Sequence, residues 1–460
     1  MNRVPIYLRS TFFVVAALVV AAPAVAGEPG EETPTFSDDV FPILRANCQN
    51  CHRPGEVAPM SLLTFRQTRP WAKAIRRNVL ARTMPPWNAE PGVGPKFHND
   101  RSLSQDEIDT IVAWVDAGAP RGDAEADLEI DDYTDGWQTT PEEIIEIPPF
   151  EVPAKGTLDY TYYIVPGATT EDRWVTAAEL RPSNRELTHH LIAYIRPPGS
   201  NYLREYPVGE FFVPEAEHGE CSTCRDGEPR PASEFEFLIG YAPGFNPYEG
   251  PVNDQRARLI PAGSDVIFEL HYSTTGEAGV DQAKLGLSFA KARPAERLFT
   301  TSASNGGFEI PPGAKSHRVD AVATTNHPLT LHALTPHMHL RGSAFRYDLV
   351  FPDGTRQELL NVPEYDFNWQ LSYFLDEPIE LPTGTRIEAT AHFDNSADNP
   401  FNPAPEQTVR WGDQSWEEMM VGFFDISFDS ALDPGDMVVH GERASRRVTE
   451  RITEASAERQ

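Results

Sequence analysis

Residues 266–272 read Val-Ile-Phe-Glu-Leu-His-Tyr. The run is short and rich in β-branched and aromatic side chains. Pro261 and Gly263 precede it, and Gly276 follows it. Such a run predicts a strand. Thr161–Val165, Leu191–Arg196 and Phe345–Val350 read the same way, set between Pro, Gly, Asn and Asp. From Pro148 to about Val439 no segment carries a convincing helical period. Short strands with turns at regular spacing predict β-sandwiches, and the span is too long for one. Two are expected, over 148–297 and 298–442, meeting near Ala292–Phe299, with a polar tail over 443–460.

Toward the N-terminus the texture changes. Residues 123–147 are dominated by Glu, Asp and Pro and read as a solvated, mobile linker. Residues 35–122 read as helices. Ser37 is placed to cap a first helix carrying Val40, Ile43 and Leu44. A second is expected near Arg69–Ala81, with Trp71, Ile75 and Val79 on one face. A third opens with Ser104 and Glu107 in capping-box spacing, then repeats Ile108, Ile111, Val112 and Val115. At the start of the chain, Arg3 and Arg9 flank an apolar run, Phe12 to Ala22, followed by Ala24-Val25-Ala26. This predicts a signal peptide over 1–26. The run is short for a bilayer span, so a periplasmic or secreted chain with no stable membrane insertion is expected.

Across 460 residues, 39 Lys and Arg stand against 69 Asp and Glu, a net charge of −30. That excludes sequence-independent nucleic-acid binding, which needs a basic surface. Four cysteines, in two C-x-x-C pairs, exclude a disulfide-dense scaffold.

The first pair is Cys48-Gln49-Asn50-Cys51-His52, a c-type haem attachment signature. Two thiols add to the haem vinyl groups, and the next residue, His52, binds the iron. Met84, in Thr83-Met84-Pro85-Pro86, is the candidate sixth ligand, with Met60 competing. The second pair, Cys221-Ser222-Thr223-Cys224, has no following His. A local disulfide is expected, with a metal site involving His218 or a redox-active pair as alternatives.

Eleven of the 13 histidines lie beyond Pro148. His337 and His339, at i and i+2, share one strand face and are placed to chelate one ion. His189 and His190 are adjacent and need a strand end or bulge to converge. His271 sits alone in its strand, and Met419 and Met420 follow Glu417-Glu418. Imidazole suits copper, zinc or iron, and thioether selects copper over magnesium or calcium. His327, His332 and His392 read as core or supporting residues. His98, His218, His317 and His440 read as surface or loop residues.

Two resemblances add to this. Residues 27–122 resemble a small class I cytochrome c, whose ligand Met lies in a Met-Pro stretch before a final helix like Leu103–Ile108. The order His189-His190, His271-Tyr272, His337-x-His339, Glu418-Met419 resembles the copper type II ascorbate-dependent monooxygenases, relatives of dopamine β-monooxygenase and peptidylglycine α-hydroxylating monooxygenase. Gly240-Tyr241-Ala242-Pro243-Gly244 and Trp411-Gly412-Asp413-Gln414 support the likeness.

Together they imply a multidomain chain: a small all-α cytochrome c domain followed by two all-β, jelly-roll-like copper sandwiches. The implied cofactors are one covalently bound haem c and two copper ions. His189, His190 and His271 would hold an electron-transfer copper, and His337, His339 and Met419 the copper that activates O2. The implied partners are O2, an organic substrate, and a periplasmic electron donor or ascorbate. Where the peptidylglycine enzymes carry Arg, Asn and Tyr near the second copper, this chain has Thr335, Val421 and Phe423. The resemblance therefore implies a more apolar pocket without a carboxylate clamp. A non-catalytic haem protein with a copper- or ligand-binding sandwich is the other reading.

Overall fold

The computed structural model describes residues 33–123, 137–214, 224–225, 228–229, 234–242, 253, 255–441 and 448. The expected signal peptide, most of the linker and tail, and the Cys221–Cys224 pairing lie outside the described residues.

Strand predominates, and it forms one long sheet shared by both halves of the chain. Eight strands run in the order Glu143–Glu146, Lys284–Phe289, Arg173–Arg181, Arg256–Ile260, Glu296–Ser304, Val421–Asp429, Leu329–His337 and Tyr373–Leu381. At the middle, Arg256 and Ala257 pair in parallel with Glu296 and Arg297, so the halves meet strand to strand. A five-stranded sheet covers each half. The first contains Thr161–Val165, Asp265–Tyr272, Thr188–Arg196 and Glu236–Tyr241; the second contains Gly342–Val350, Arg386–Phe393, His317–Thr325 and Val438–His440.

Strand alternation decides what each sheet presents. In Asp265–Tyr272, Val266, Phe268 and Leu270 enter the first core together with Leu191, Ala193 and Ile195 of the neighbouring strand. The intervening Ile267, Glu269 and His271 must then face the other way. So must His190, Ile192 and Tyr194. That second face packs an aromatic layer of Tyr160, Tyr162, Tyr194 and Tyr202.

The expected fold class needs correction at the N-terminal end. There is no distinct all-α domain ahead of the sandwiches. The helices are short: Phe41–Asn47, Phe65–Thr68, Ala72–Leu80 and Gln105–Asp116. Their small core includes Phe36, Leu44, Ile111 and Trp114. Residues 84–99 leave it and join the second sandwich. Trp87, Ala89 and Phe97 pack against that sandwich's core. The Glu90 N–H donates to the Asn361 carbonyl at 2.8 Å, and the His98 N–H to the Phe374 carbonyl at 3.0 Å. Pro85, Pro86, Pro91 and Pro95 cannot extend a helix, and the apolar residues between them need cover that four short helices do not provide.

Smaller corrections follow the same logic. Thr35, not Ser37, caps the first turn by accepting the Asp38 N–H at 3.3 Å. Ser37 instead donates to the Arg121 carbonyl at 3.0 Å. Trp71 is 42% exposed, outside the face formed by Ile75 and Val79. The Ser104–Glu107 capping box is present. Residues 143–146, expected in the linker, pair with Lys284–Leu287 as an edge strand.

Gly94 is the tightest point of the 84–99 segment. Its φ is +73°, and a Cβ there would collide with the Leu359 carbonyl. Gly94→Ala is expected to cost about 2–3 kcal/mol through backbone strain and displacement of the segment. The denaturation midpoint in urea should fall with an unchanged slope. An unchanged midpoint would show that the segment is not fixed against the sandwich.

Candidate metal centre

His190 and His271 lie directly opposite each other on paired strands. The register then slips, because Tyr272 pairs with Thr188 and His189 is passed over. This bulge gives His189 the freedom to turn toward the other two, which a regular strand would deny it. The Nδ1 atoms of His189 and His190 are 3.3 Å apart, as are those of His190 and His271. All three ligand atoms lie within 4.8 Å of one another. Two nitrogens bound at ~2.0 Å to one tetrahedral ion would stand ~3.3 Å apart, so the spacing fits a first-row metal.

The surroundings hold His190 in place. Glu269, two residues before His271 on the same face, sits 3.6 Å from His190 Nε2. Its carboxylate accepts the Tyr162 hydroxyl at 2.7 Å and the Tyr194 hydroxyl at 3.1 Å. His189 stacks on Phe367 with ring centroids 4.8 Å apart. Burial, then the neighbouring imidazoles, holds His189 down to about 3 and His271 well below the ordinary value. The ring nitrogens of His189 and His271 are therefore lone pairs at neutral pH, as a metal requires.

His337 and His339 form the second group. Met338 between them is fully buried in the second core, so both imidazoles face away from that core. Their rings are 5.2 Å apart and perpendicular. His337 Nδ1 is 2.5 Å from Gln370 Oε1, which makes Nδ1 the donor and leaves Nε2 to ligate. His339 is fully buried, and neither ring nitrogen makes a well-formed hydrogen bond among the described residues, although the Gln414 and Glu417 backbones lie close enough to act on the ring. Such an orphaned imidazole is costly unless an ion satisfies it. Burial holds His337 down to about 4 and His339 well below the ordinary value.

Glu418 ties this pair to the methionines. It is completely buried and accepts the N–H of His339 at 2.9 Å and of Arg341 at 2.6 Å. Burial pushes its carboxyl up to about 8, against the pull of those N–H groups and the Arg341 guanidinium. Met420 is buried in the second core, whereas Met419 lines the cavity that His337 also lines.

The two groups face each other across the junction of the halves. The Tyr160 ring lies 4.3 Å from His271 and 6.5 Å from His339. Phe367 touches His189 and lies 6.1 Å from His339. A cavity of about 250 Å3 reaches His190, His337 and Met419. A second, about 160 Å3, also touches His190 and His337 and is lined by Thr335 and Phe423. Its one guanidinium, Arg258, is engaged by Asp425 at 3.2 Å.

The Cys48–His52 segment lies on the helical side. Cys48 and Cys51 are not joined by a disulfide. Burial pushes the Cys48 thiol up to about 12. His52 Nδ1 approaches the Met60 carbonyl at 3.2 Å, which leaves Nε2 available. The Met60 side chain packs against the helical core beside Cys48, whereas Met84 is half-buried and outside that core. Glu56 pairs with Arg53 and with Arg185, whose guanidinium lies 5.9 Å from the Tyr241 ring. Tyr241 is the register partner of Leu191, next to His190.

His332 bonds Ser427 Oγ at 2.8 Å and is a satisfied core residue. His440 departs from expectation. It lines the larger cavity rather than the surface. Nothing local in the sequence marks it, because it arrives there through pairing of Val438–His440 with Ala323–Thr325.

No protein-family profile matches the chain, and no curated protein matches it. Among solved structures, the infectious bursal disease virus Gx strain structure is 11% identical, with 66% of this chain and 79% of that chain covered and a TM-score of 0.17. An allantoicase is 9% identical, covering 54% and 81%, with a TM-score of 0.15. Likenesses this weak carry no argument about fold or function. No helix of the described residues is long and apolar enough to cross a membrane.

The buried imidazoles make stability depend on pH. In the folded chain His189, His332, His337 and His440 are held at about 3 to 4. In the unfolded chain they titrate near the ordinary value, about 6.5. The unfolded state therefore binds more protons below that pH. Stability is full above about pH 6.5 and is lost progressively as pH falls toward 4. Metal-free protein should melt several degrees lower at pH 5 than at pH 7.5, and Cu(II) loading should shrink the difference. A melting temperature flat over this range in metal-free protein would contradict the buried, neutral imidazoles.

Proposed function

We propose that the chain is an exported copper-dependent monooxygenase that hydroxylates a C–H bond of a small organic substrate, with a covalently attached haem c supplying electrons. The observation that carries this reading is that two unlike donor sets meet at one cavity. His190 of the three convergent imidazoles lines it, and so do His337 of the second pair and the Met419 thioether.

The residues divide the work. His189, His190 and His271 offer an all-nitrogen set. Glu269, with Tyr162 and Tyr194, fixes its geometry. His337 and His339 offer two nitrogens and Met419 a soft sulfur, a combination that favours copper. Gln370 sets the His337 tautomer, and Glu418 locks the turn after His339 to the segment carrying Met419. Two bound coppers would supply single-electron chemistry and O2 activation, so that O2, two electrons and two protons convert R–H to R–OH and water. Tyr160, Phe367 and Phe423 screen the site from bulk water. No side chain is required as a conventional acid or base on the substrate.

Cys48, Cys51 and His52 are the residues that would hold the haem, with Met84 as a further candidate ligand. His52 keeps Nε2 free for iron, and Met60 packs against the helical core. The Glu56–Arg185 pair sets this segment against the first half of the chain, beside Tyr241 and Leu191. Electrons from a periplasmic donor, or from ascorbate, therefore enter at the His189/His190/His271 side.

Copper and iron content of protein matured in a periplasm tests this. Two coppers and one haem per chain are expected. Met419→Ala should weaken one copper at least tenfold, leave the other in place, and abolish oxygenation. A native chain that binds no copper would overturn the proposal. Loss of both coppers together in Met419→Ala would overturn the assignment of separate donor sets.

A further inference from the structure

We infer that the larger cavity is a substrate chamber for a compact, uncharged molecule carrying one hydroxyl, and that His440 reads that hydroxyl through Nδ1. The inference rests on the reading of His337, His339 and Met419 as the reactive end of the same chamber.

The cavity sets the size. It is about 250 Å3. A cavity of about 150 Å3 accepts benzene, so this one takes a ring with a short side chain, or an aliphatic molecule of similar bulk. Its walls set the polarity. Phe237, Phe299, Trp411, Val421 and Phe423 are among the lining residues, and no Lys or Arg is among the described ones. Three carboxylates stand in the wall: Glu236 is engaged by Arg297, Glu269 accepts two phenol hydroxyls, and Asp413 is not free either. An anionic substrate would meet no cation here. A cationic one would compete with partners these carboxylates already have.

His440 supplies the specific contact. Its ring donates to the Ser302 carbonyl, and its Nδ1 is buried without a partner among the described residues. A ring that donates through one nitrogen presents the other as an acceptor. Burial holds it neutral, at about 4. Nδ1 therefore matches a donor, and a neutral donor on a small apolar molecule is a hydroxyl. Topology places this acceptor away from the metal ligands. Ser302 pairs with Phe423, which pairs with Thr335 on the strand that ends in His337. Two strand spacings, roughly 10 Å, separate the Ser302 backbone beside His440 from Thr335. A substrate anchored at His440 would thus present a carbon several bonds from its hydroxyl to Met419 and His337.

Binding to metal-free, full-length mature protein tests this, because no probe can then coordinate copper. The probes are 2-phenylethanol and its isostere propylbenzene, with phenethylamine and phenylacetate as charged controls, measured by titration calorimetry. 2-Phenylethanol is expected to bind at least tenfold more tightly than propylbenzene and than either charged probe. His440→Phe, which keeps bulk and removes the acceptor, should bring the two neutral probes within about twofold. His440→Gln, which restores an acceptor, should recover part of the preference. Thermal melts of both variants separate loss of the acceptor from loss of the fold. Equal binding of the neutral pair by the native protein, survival of the preference in a folded His440→Phe variant, or tightest binding of phenethylamine would each overturn the inference. Copper content is scored separately. A hydroxyl preference without two coppers would leave the chamber standing and remove the oxygenase; two coppers without the preference would do the reverse.

Discussion

The structure depends on a short parallel pairing, Arg256–Ala257 against Glu296–Arg297, that fuses two half-sheets into one. A two-residue contact is weak alone. Here it is braced by ion pairs that run across it: Arg256 with Glu296, Arg297 with Glu236, and Arg258 with Asp425. Several of these side chains are buried, where removing one partner strands the other charge at a cost of several kcal/mol. The junction therefore resists opening. The histidines of the first half stand opposite those of the second as a consequence, sharing Tyr160 and Phe367 as common walls. Two sandwiches joined only by a flexible loop would not fix that distance.

Burying five imidazoles in one place is unfavourable unless something is gained. His189, His271, His337 and His339 are held neutral by desolvation, and a neighbour's positive form would repel the next. His189 Nε2 goes without a protein partner, and the His339 nitrogens have only the Gln414 and Glu417 backbones nearby, without good hydrogen-bond geometry. In an ordinary core such groups are paired, as His332 is with Ser427. The contrast between His332 and His339, both buried and both in the second half, separates a packing histidine from one kept ready for a ligand. Glu418 is strained in the same way. Its carboxyl is driven upward by burial, yet through two backbone N–H groups it ties the His339 turn to the Met419 segment.

What the sequence made legible follows from how local the signal is. Alternation within Val266–Tyr272 and Leu191–Arg196 announced both strands and the faces carrying His190 and His271. The adjacency of His189 and His190 called for a bulge, and the register slip at His271/Tyr272 is that bulge. The capping box at Ser104 was equally plain. Long-range events were not legible. The helical periods of 35–122 implied a self-contained domain, but residues 84–99 find their cover on a sandwich more than 250 residues away in sequence. Nor does any pattern near His440 reveal that its strand will close a cavity wall, because that depends on pairing with Ala323.

The same argument bears on how the Cys48–His52 segment is tied to the rest. A mobile tether would leave electron transfer to chance encounters between the helices and the sandwiches. Instead two kinds of contact hold the helical layer down, one of them through an arginine that is itself seated on the first half. Residues 84–99 are stitched into the second half by backbone hydrogen bonds, Glu56 reaches Arg185 in the first half, and Arg185 sits over Tyr241. The fixed points lie on both halves, so the helical layer spans the junction that the ion pairs brace. Loss of the Arg185 contact alone would free only one side. The segment carrying the two thiols is thus positioned by the same constraint that positions the histidines, and its distance from them is a property of the folded chain rather than of the acidic stretch between.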